Sequence, residues 1–303
     1  MKFRTVGLIG YGEVGKIFSA GIQGKDGVEG VHAWDRKFAG DTDIATAELA
    51  HAEEAGVTAQ MSSKALCEAC DLVIAAVTAS QSLAVSEEAA RYMRPGSVYL
   101  DLNSASPGTK QRSAALIEAA GARYVEAGVM TSVPPYGIRV PLLLGGEHAG
   151  ELALLLGAWG MDAKAVSEKL GVASAIKMCR SVMIKGMEAL VIESYATARA
   201  YGVEDYVIPT LEETFPNMDW QKTGAYFFSR VVQHGQRRAE EMRESANTVR
   251  EAGFEPFMTA SIADKQQWVA DQAKAGVFKD VGKDAAWHEY ADKLLAVRPA
   301  AKS

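Results

Sequence analysis

Along the first half of the chain, short apolar and β-branched runs alternate with stretches whose apolar positions recur at helical spacing. The runs Thr5–Ile9, Val31–Asp35, Val57–Ala59, Leu72–Val77, Ser97–Asp101, Tyr124–Ala127 and Val140–Gly145 predict strands. Several are apolar without interruption, as strands covered on both faces of a parallel sheet should be. Helices are predicted at Ser62–Ala69, at Ser80–Met93, which Arg94-Pro95-Gly96 ends, and at Pro107–Ala120, which Gly121 ends. Strand and helix in alternation imply an α/β doubly wound sheet.

After Trp159 the pattern changes. Val172–Ala200 contains no proline and only Gly186 as an interior glycine. This predicts one long helix, apolar enough to be buried on several sides. Trp220–Ala252, Thr259–Ala275 and Lys283–Ala296 predict further helices, with breaks at Pro209, Pro216 and Gly253-Phe254-Glu255-Pro256, and Arg298–Ser303 reads as a frayed tail. The expectation is an α/β domain over 1–165 and an all-α domain over 166–303, with the long helix at about 172–200 between them.

Composition narrows the function classes. Of 303 residues, 48% are hydrophobic and 23% charged, with a net charge of −6, which suits a soluble globular chain. An acidic chain without a basic stripe is a poor nucleic-acid binder, and Arg237-Arg238 is too short to reverse that. The first apolar run starts at Thr5, and glycines interrupt it before it could span a bilayer or serve as a signal core. A cytoplasmic protein without membrane attachment is expected. Cys67 and Cys70 form a C-x-x-C, but at the end of a helix and with no second ligand pair nearby. Buried free thiols are expected there, with no metal.

The chemistry-bearing motif is Gly10-Tyr11-Gly12-Glu13-Val14-Gly15, a G-x-G-x-x-G between a predicted strand and a helix-like stretch. Gly10 allows the tight turn, Gly12 lets a pyrophosphate approach the backbone, and Gly15 lets helix and strand pack closely. The phosphates would rest on the positive end of the helix. This is a Rossmann-type dinucleotide site. Asp35 ends the second strand, where a carboxylate accepts from ribose hydroxyls and repels a 2′-phosphate, so NAD is preferred. Arg36 and Lys37 follow at once and could instead pair with the 2′-phosphate of NADP. Val77 and Thr78, ending the fourth strand, join the cofactor set.

Beyond this turn the sequence resembles the β-hydroxyacid dehydrogenases, which include the 6-phosphogluconate, 3-hydroxyisobutyrate and tartronate-semialdehyde enzymes. Asp101-Leu102-Asn103-Ser104-Ala105-Ser106-Pro107 is similar to their substrate loop, Leu142-Leu143-Leu144-Gly145-Gly146 to the last strand of their cofactor domain, and Lys177 to their catalytic lysine. The resemblance covers about the first 190 residues and implies that Asn103 and Ser104 face substrate. The remainder looks like a branch with its own C-terminal domain. Two stretches depart from the family. The serine-glycine-glycine turn that clamps a substrate carboxylate reads Met130-Thr131-Ser132-Val133-Pro134-Pro135, and the asparagine four residues after the lysine is Ser181. Met130, Thr131 and Ser181 therefore stand at substrate positions with altered chemistry.

Oxidising an alcohol requires removal of its proton as hydride leaves, and a lysine with a lowered pKa can take it. Lys177, Ser181, Lys185 and Glu188 lie near one stripe of the long helix. The stripe reads either as a functional face, with Lys185 touching substrate, or as a solvated face with Lys185 and Glu188 as an exposed ion pair. His234 and Arg237, within His234-Gly235-Gln236-Arg237-Arg238, read either as a clamp on an anionic substrate group or as part of a solvated Arg/Glu ladder. Trp220, Tyr226, Phe227 and Trp268 could line a pocket or form plain core. Three functions compete: a dehydrogenase acting on a hydroxy acid or related CH–OH substrate, an imine reductase, and a non-catalytic dinucleotide-sensing scaffold. The broadly apolar long helix also leads to the expectation of a homodimer through the second half.

Overall fold

The computed structural model describes residues 1–282 and 284–297, so Lys283 and the tail Arg298–Ser303 lie outside the described residues. The chain divides into two compact units, Met1–Cys179 and Arg180–Ser303.

The first unit alternates as the pattern requires. Its strands are β1 (Thr5–Ile9), β2 (Gly30–Trp34), β3 (Thr58–Ala59), β4 (Leu72–Ala75), β5 (Val98–Asp101), β6 (Arg123–Val129), β7 (Leu142–Gly145) and β8 (Ala163–Ser167). Between them lie α1 (Glu13–Ile22), α2 (Asp43–Glu54), α3 (Ser63–Ala69), α4 (Ser82–Ala90), α5 (Pro107–Ala119) and α6 (Ala149–Ala158). The strands form one sheet in the order β3-β2-β1-β4-β5-β6-β7-β8. The first six follow the doubly wound order, with the sequence direction reversing at β1. Side chains alternate across each strand. Val6, Leu8, Leu72, Ile74, Val98 and Leu100 pack with Phe18 and Ile22 of α1 and Leu152 and Leu156 of α6 on one face. Ile9, Val73, Ala75 and Tyr99 pack with Leu66 of α3, Ala89 of α4 and Ile117 of α5 on the other.

Two features differ from the sequence-based expectation. β7 runs antiparallel to β6, because the segment between them holds only a short helical turn at Gly137–Arg139, and a parallel crossover needs a longer connection, usually a helix. β8 was not expected. It pairs parallel to β7 at the sheet edge, and its residues are exposed or half-buried, so it lacks the apolar run that marks inner strands. Cys67 and Cys70 are buried free thiols, and burial lifts them to about 11 and about 12.

The long helix α7 (Val172–Tyr201) begins in the first unit. Its start is set by the sheet: Glu126 of β6, fully buried, accepts from the Gly171 and Ala173 amides at 2.8 and 3.1 Å. A side chain at Gly145 of β7 would place its Cβ 2.4 Å from that same Glu126 oxygen, so glycine keeps the cap in place.

In the second unit the remainder of α7 is followed by α8 (Glu204–Thr214), α9 (Trp220–Glu251), α10 (Phe257–Lys274) and α11 (Trp287–Ala296). Pro209, expected as a break, lies inside α8; it is the sixth residue of a helix that starts at Glu204, so its missing N–H costs a single intrahelical bond near the N-terminal end. The core joins Val191, Ile192 and Tyr195 of α7 to Phe227, Phe228 and Val231 of α9 and Trp287 and Tyr290 of α11. Trp220 and Phe227 are therefore core rather than pocket lining, while Tyr226 and Trp268 are exposed. Exposed apolar side chains remain on this unit, among them Met183, Leu190, Tyr206 and Phe257. Among the described residues no helix is long and apolar enough to cross a membrane.

Candidate functional site

The glycine turn leaves β1 at the point where the strand order reverses, the place where doubly wound sheets hold their ligands. Gly10 has φ +97°, and a Cβ there would lie 2.4 Å from Ala76 O. A Cβ on Gly15 would fall 2.0 Å from Gly10 O, whereas one on Gly12 would meet nothing within 4 Å. Gly10 and Gly15 thus close the turn, and Gly12 faces open space. Gly12 is also the N-cap of α1 and offers no capping side chain, so the first amides of the helix remain available to an anion. Val14 is half-buried and Glu13 exposed on the first turn of α1. Tyr11 is buried, its hydroxyl 3.1 Å from His51 Nδ1; its part in the turn is played by its backbone.

The Tyr11 amide donates to Asp35 Oδ2 at 2.7 Å, and the Lys37 amide donates to Asp35 Oδ1 at 2.9 Å. The carboxylate is thereby pinned beside the turn with lone pairs left over for ribose hydroxyls. Arg36 is exposed, and Lys37 Nζ reaches Glu48 at 3.4 Å.

At the ends of β4 and β5 the Val77 amide donates to Asn103 Oδ1 at 2.7 Å. Asn103 is buried, and its Nδ2 has no hydrogen-bond partner. A buried amide donor without an acceptor is costly, and here it sits in the loop beside the open glycine turn. Thr78 is exposed, its hydroxyl 3.3 Å from that of Ser80. The open face at Gly12, the uncapped helix, the pinned Asp35 and the orphaned Asn103 donor together fit a dinucleotide. Gly10–Gly15 would hold its phosphates, Asp35 its adenosine ribose, and Asn103 a polar group toward its other end.

The loop itself is fastened from beneath. Asp101, fully buried, accepts from the Asn103 amide at 2.9 Å and from Tyr124 OH at 2.8 Å. Lys110 Nζ, also fully buried, lies 3.0 Å from Asp101 Oδ1 and donates to Asp101 O at 2.9 Å. Sequence reasoning missed Lys110, although a cation in the first turn of a helix, against the dipole, is a signal that it answers to something else.

Lys177 stands in the second turn of α7, half-buried, and donates to Ser104 Oγ at 2.6 Å. A Cβ on Gly128 of β6 would lie 3.4 Å from Lys177 Cβ, so that glycine allows helix and strand to approach closely. Lys177 and Ser104, identified separately in the sequence, are thus brought together. Met130 is half-buried and tied to Pro141 O through its backbone, and Thr131 is exposed; neither makes a side-chain contact that identifies it as a ligand group.

In the second unit the exposed-pair reading of Lys185 and Glu188 does not hold. Both are buried and each pairs with α9: Lys185 Nζ bonds Glu241 and lies 3.4 Å from Ser181 Oγ, while Glu188 Oε1 accepts from Arg238 Nη2 at 2.7 Å. The burial has a price in protonation, since Glu188 is held above the usual carboxylate range by desolvation despite the cations around it. His234 is half-buried and Arg237 exposed. Arg230 and Gln266, which join this cluster, were not singled out from the sequence.

Comparison with known proteins agrees with this geometry. Residues 5–175 match the NAD binding domain of 6-phosphogluconate dehydrogenase, and residues 198–269 match a domain of unknown function, DUF1932. A conserved hypothetical protein from Sinorhizobium meliloti 1021 is 34% identical, covers 96% of each chain and superimposes with a TM-score of 0.75. The conserved protein MTH1747, described as structurally similar to 3-hydroxyacid dehydrogenases, is 30% identical over 89% of this chain and 98% of its own, with a TM-score of 0.67. The 3-hydroxyisobutyrate dehydrogenase of Mycobacterium tuberculosis shares the fold at 16% identity, with a TM-score of 0.68 over 99% of this chain and 100% of its own. The chain belongs to the family of the 6-phosphogluconate dehydrogenase NAD binding domain, in the form that carries a DUF1932 domain behind it.

Proposed function

We propose that the chain is an NAD(P)-dependent oxidoreductase that interconverts a hydroxy acid, or a related alcohol, and its carbonyl compound, with Lys177 as the proton acceptor. The observation that carries this reading is the 2.6 Å hydrogen bond from Lys177 Nζ to Ser104 Oγ, in the same unit as the glycine turn. When bound, the nicotinamide supplies a hydride acceptor in one direction and a donor in the other. The protein's part is the proton. Ser104 holds Nζ at a fixed point, and the neutral amine takes the hydroxyl proton as the carbon–oxygen double bond forms, returning it in the reverse direction. Asn103, fastened by Asp101 and Lys110, keeps the loop that carries Ser104 in register. An imine reduction needs a proton donor but no such base, so the pair favours the alcohol.

The test is Lys177→Ala, assayed by reduced-nicotinamide absorbance against a panel of hydroxy acids, alcohols and amines. Turnover is expected to fall by about 10²–10⁴-fold, with cofactor affinity unchanged and no rescue by Lys177→Arg, whose guanidinium stays protonated. Near-normal turnover in Lys177→Ala would overturn the assignment. The pinned Asp35 supports tighter binding of NAD than of NADP, and fluorescence titration of both reduced cofactors checks it. The exposed Met183, Leu190, Tyr206 and Phe257 support a second copy of the chain as the cover of the helical unit. Light scattering should give a dimer mass.

A further inference from the structure

Two cations follow Asp35 in the chain, and their surroundings differ. Arg36 is exposed to solvent. The ammonium of Lys37 lies 3.4 Å from Glu48 Oε1 on α2. The other oxygen of the same carboxylate is 2.6 Å from the ammonium of Lys16 on α1. Glu48 is thus shared by two lysines, one from the helix that leaves the glycine turn and one from the segment that leaves β2. The lysine side chains are 29% and 50% exposed, against 15% for Glu48. Burial disfavours the charge of Glu48, yet Lys16 and Lys37 hold its carboxyl below the ordinary carboxylate range, so it is ionised at neutral pH.

The place of Glu48 is set by the turn. Thr42 starts α2, its Oγ1 accepting from the Ala45 amide at 3.1 Å. His51, three residues after Glu48 and on the same face of α2, has its Nδ1 3.1 Å from Tyr11 OH. Lys16 Nζ lies 5.6 Å from the centre of the Tyr11 ring. That face of α2 is therefore turned to Gly10–Gly15. Asp35 meets the same segments through their backbone, accepting from the Tyr11 and Lys37 amides. One carboxylate holds Lys37 by its amide, and the other holds it by its ammonium.

A dinucleotide with a 2′-phosphate carries about −2 more charge than one with a 2′-hydroxyl. That charge falls at the adenosine ribose, beside the residues that follow the second strand. Lysine and arginine are its natural partners there. Lys37 can serve only by leaving Glu48, and Glu48 itself repels the phosphate. With a plain ribose, Lys16 and Lys37 stay paired and Asp35 keeps its lone pairs for the hydroxyls. We propose that Glu48 is a specificity-determining residue for the cofactor, selecting against a 2′-phosphate by retaining Lys37 and by its own charge. This inference rests on the reading of the glycine turn and Asp35 as the dinucleotide site, and it does not depend on the role of Lys177.

The full-length protein is titrated with NADH and with NADPH by fluorescence at fixed ionic strength, and the ratio of the two dissociation constants is compared among variants. NADH binding also reports that each variant is folded. Glu48→Gln keeps the size of the side chain and removes its charge. It should shift the ratio toward NADPH by about fivefold, as a charge acting in a partly solvated site would. Adding Lys37→Met should remove most of that shift, whereas Lys37→Met in the wild-type chain should barely move the ratio. Glu53→Gln, at an exposed position on the same helix, removes an equal charge and should leave the ratio where it was. An unchanged ratio in Glu48→Gln, or an equal shift in Glu53→Gln, overturns the inference. So does a Lys37→Met effect as large in the wild-type chain as in Glu48→Gln. Failure of the wild-type protein to bind either reduced cofactor overturns the dinucleotide reading and this inference with it. The turnover of Lys177→Ala is read separately, so the proton-acceptor assignment and this one fail independently.

Discussion

Among the described residues, two sets of paired charges are buried, and they are built in different ways. In the sheet, Asp101 and Lys110 are one anion and one cation, both fully enclosed. The Asp101 carboxylate is taken up by Lys110, Tyr124 and the Asn103 amide. In the helical unit, Lys185 and Arg238 are buried against Glu241 and Glu188, and Arg238 Nε and Gln266 Oε1 are left without hydrogen-bond partners. In the closed pair every nitrogen and oxygen of the two charged groups has a partner, and the Asn103 amide among them ties the pair to the loop above it. The open cluster keeps polar capacity that its own pairs do not use. Burial of charge is therefore not by itself a mark of function.

The largest expected effect falls on the closed pair. Lys110→Met leaves Asp101 buried without its counter-ion and should cost about 3–5 kcal/mol in urea denaturation, loosening the loop of Asn103 and Ser104 so that cofactor affinity falls as well. In the open cluster, Arg238→Met should cost less, about 2 kcal/mol, because Lys185 and Arg230 still act on Glu188. Equal losses would erase the distinction.

The smallest effect is one of pH. His234 is held down to about 4 from an ordinary 6.5, so between those values the unfolded chain takes up a proton that the folded chain refuses. Stability should therefore fall as pH drops from about 6.5 toward 4, shallowly, since the ring is half-exposed to solvent. The groups facing it are Arg230, Arg237, Arg238 and Glu241. His234→Gln should remove this part of the slope in thermal melts at stepped pH. An unchanged slope would separate His234 from the cluster.

Inner strands could be read from the sequence because burial on both faces writes an unbroken apolar run; β4, Leu72–Ala75, is buried at every position. β8 escaped because an edge strand with an exposed Lys164 need not be apolar. α8 escaped because Pro209 reads as a stop unless it falls near a helix start. The glycine turn, Asp35, Asn103, Ser104 and Lys177 were legible because each answers a local demand of turn, strand end or family motif. Gln266 was not, because its partners lie 81 and 78 positions earlier, and Lys110 was not, because its bond to Asp101 appears only when the loop folds back over the strand end.

The cap that Glu126 places on α7 has a consequence for how the molecule assembles. A helix ordinarily begins from neighbours a few residues away, but here the amide of Gly171, just before the helix, and that of Ala173, within its first turn, are satisfied by a side chain 45 and 47 positions earlier. The first turn, just before the one that carries Lys177, is thus expected to inherit the slow step of long-range contact formation, its order borrowed from the sheet. Hydrogen exchange at the Gly171 and Ala173 amides should consequently follow the opening of β6 from β7, not the fraying of a helix end. The residue proposed to handle the proton therefore stands one turn beyond a helix start that the sheet holds in place.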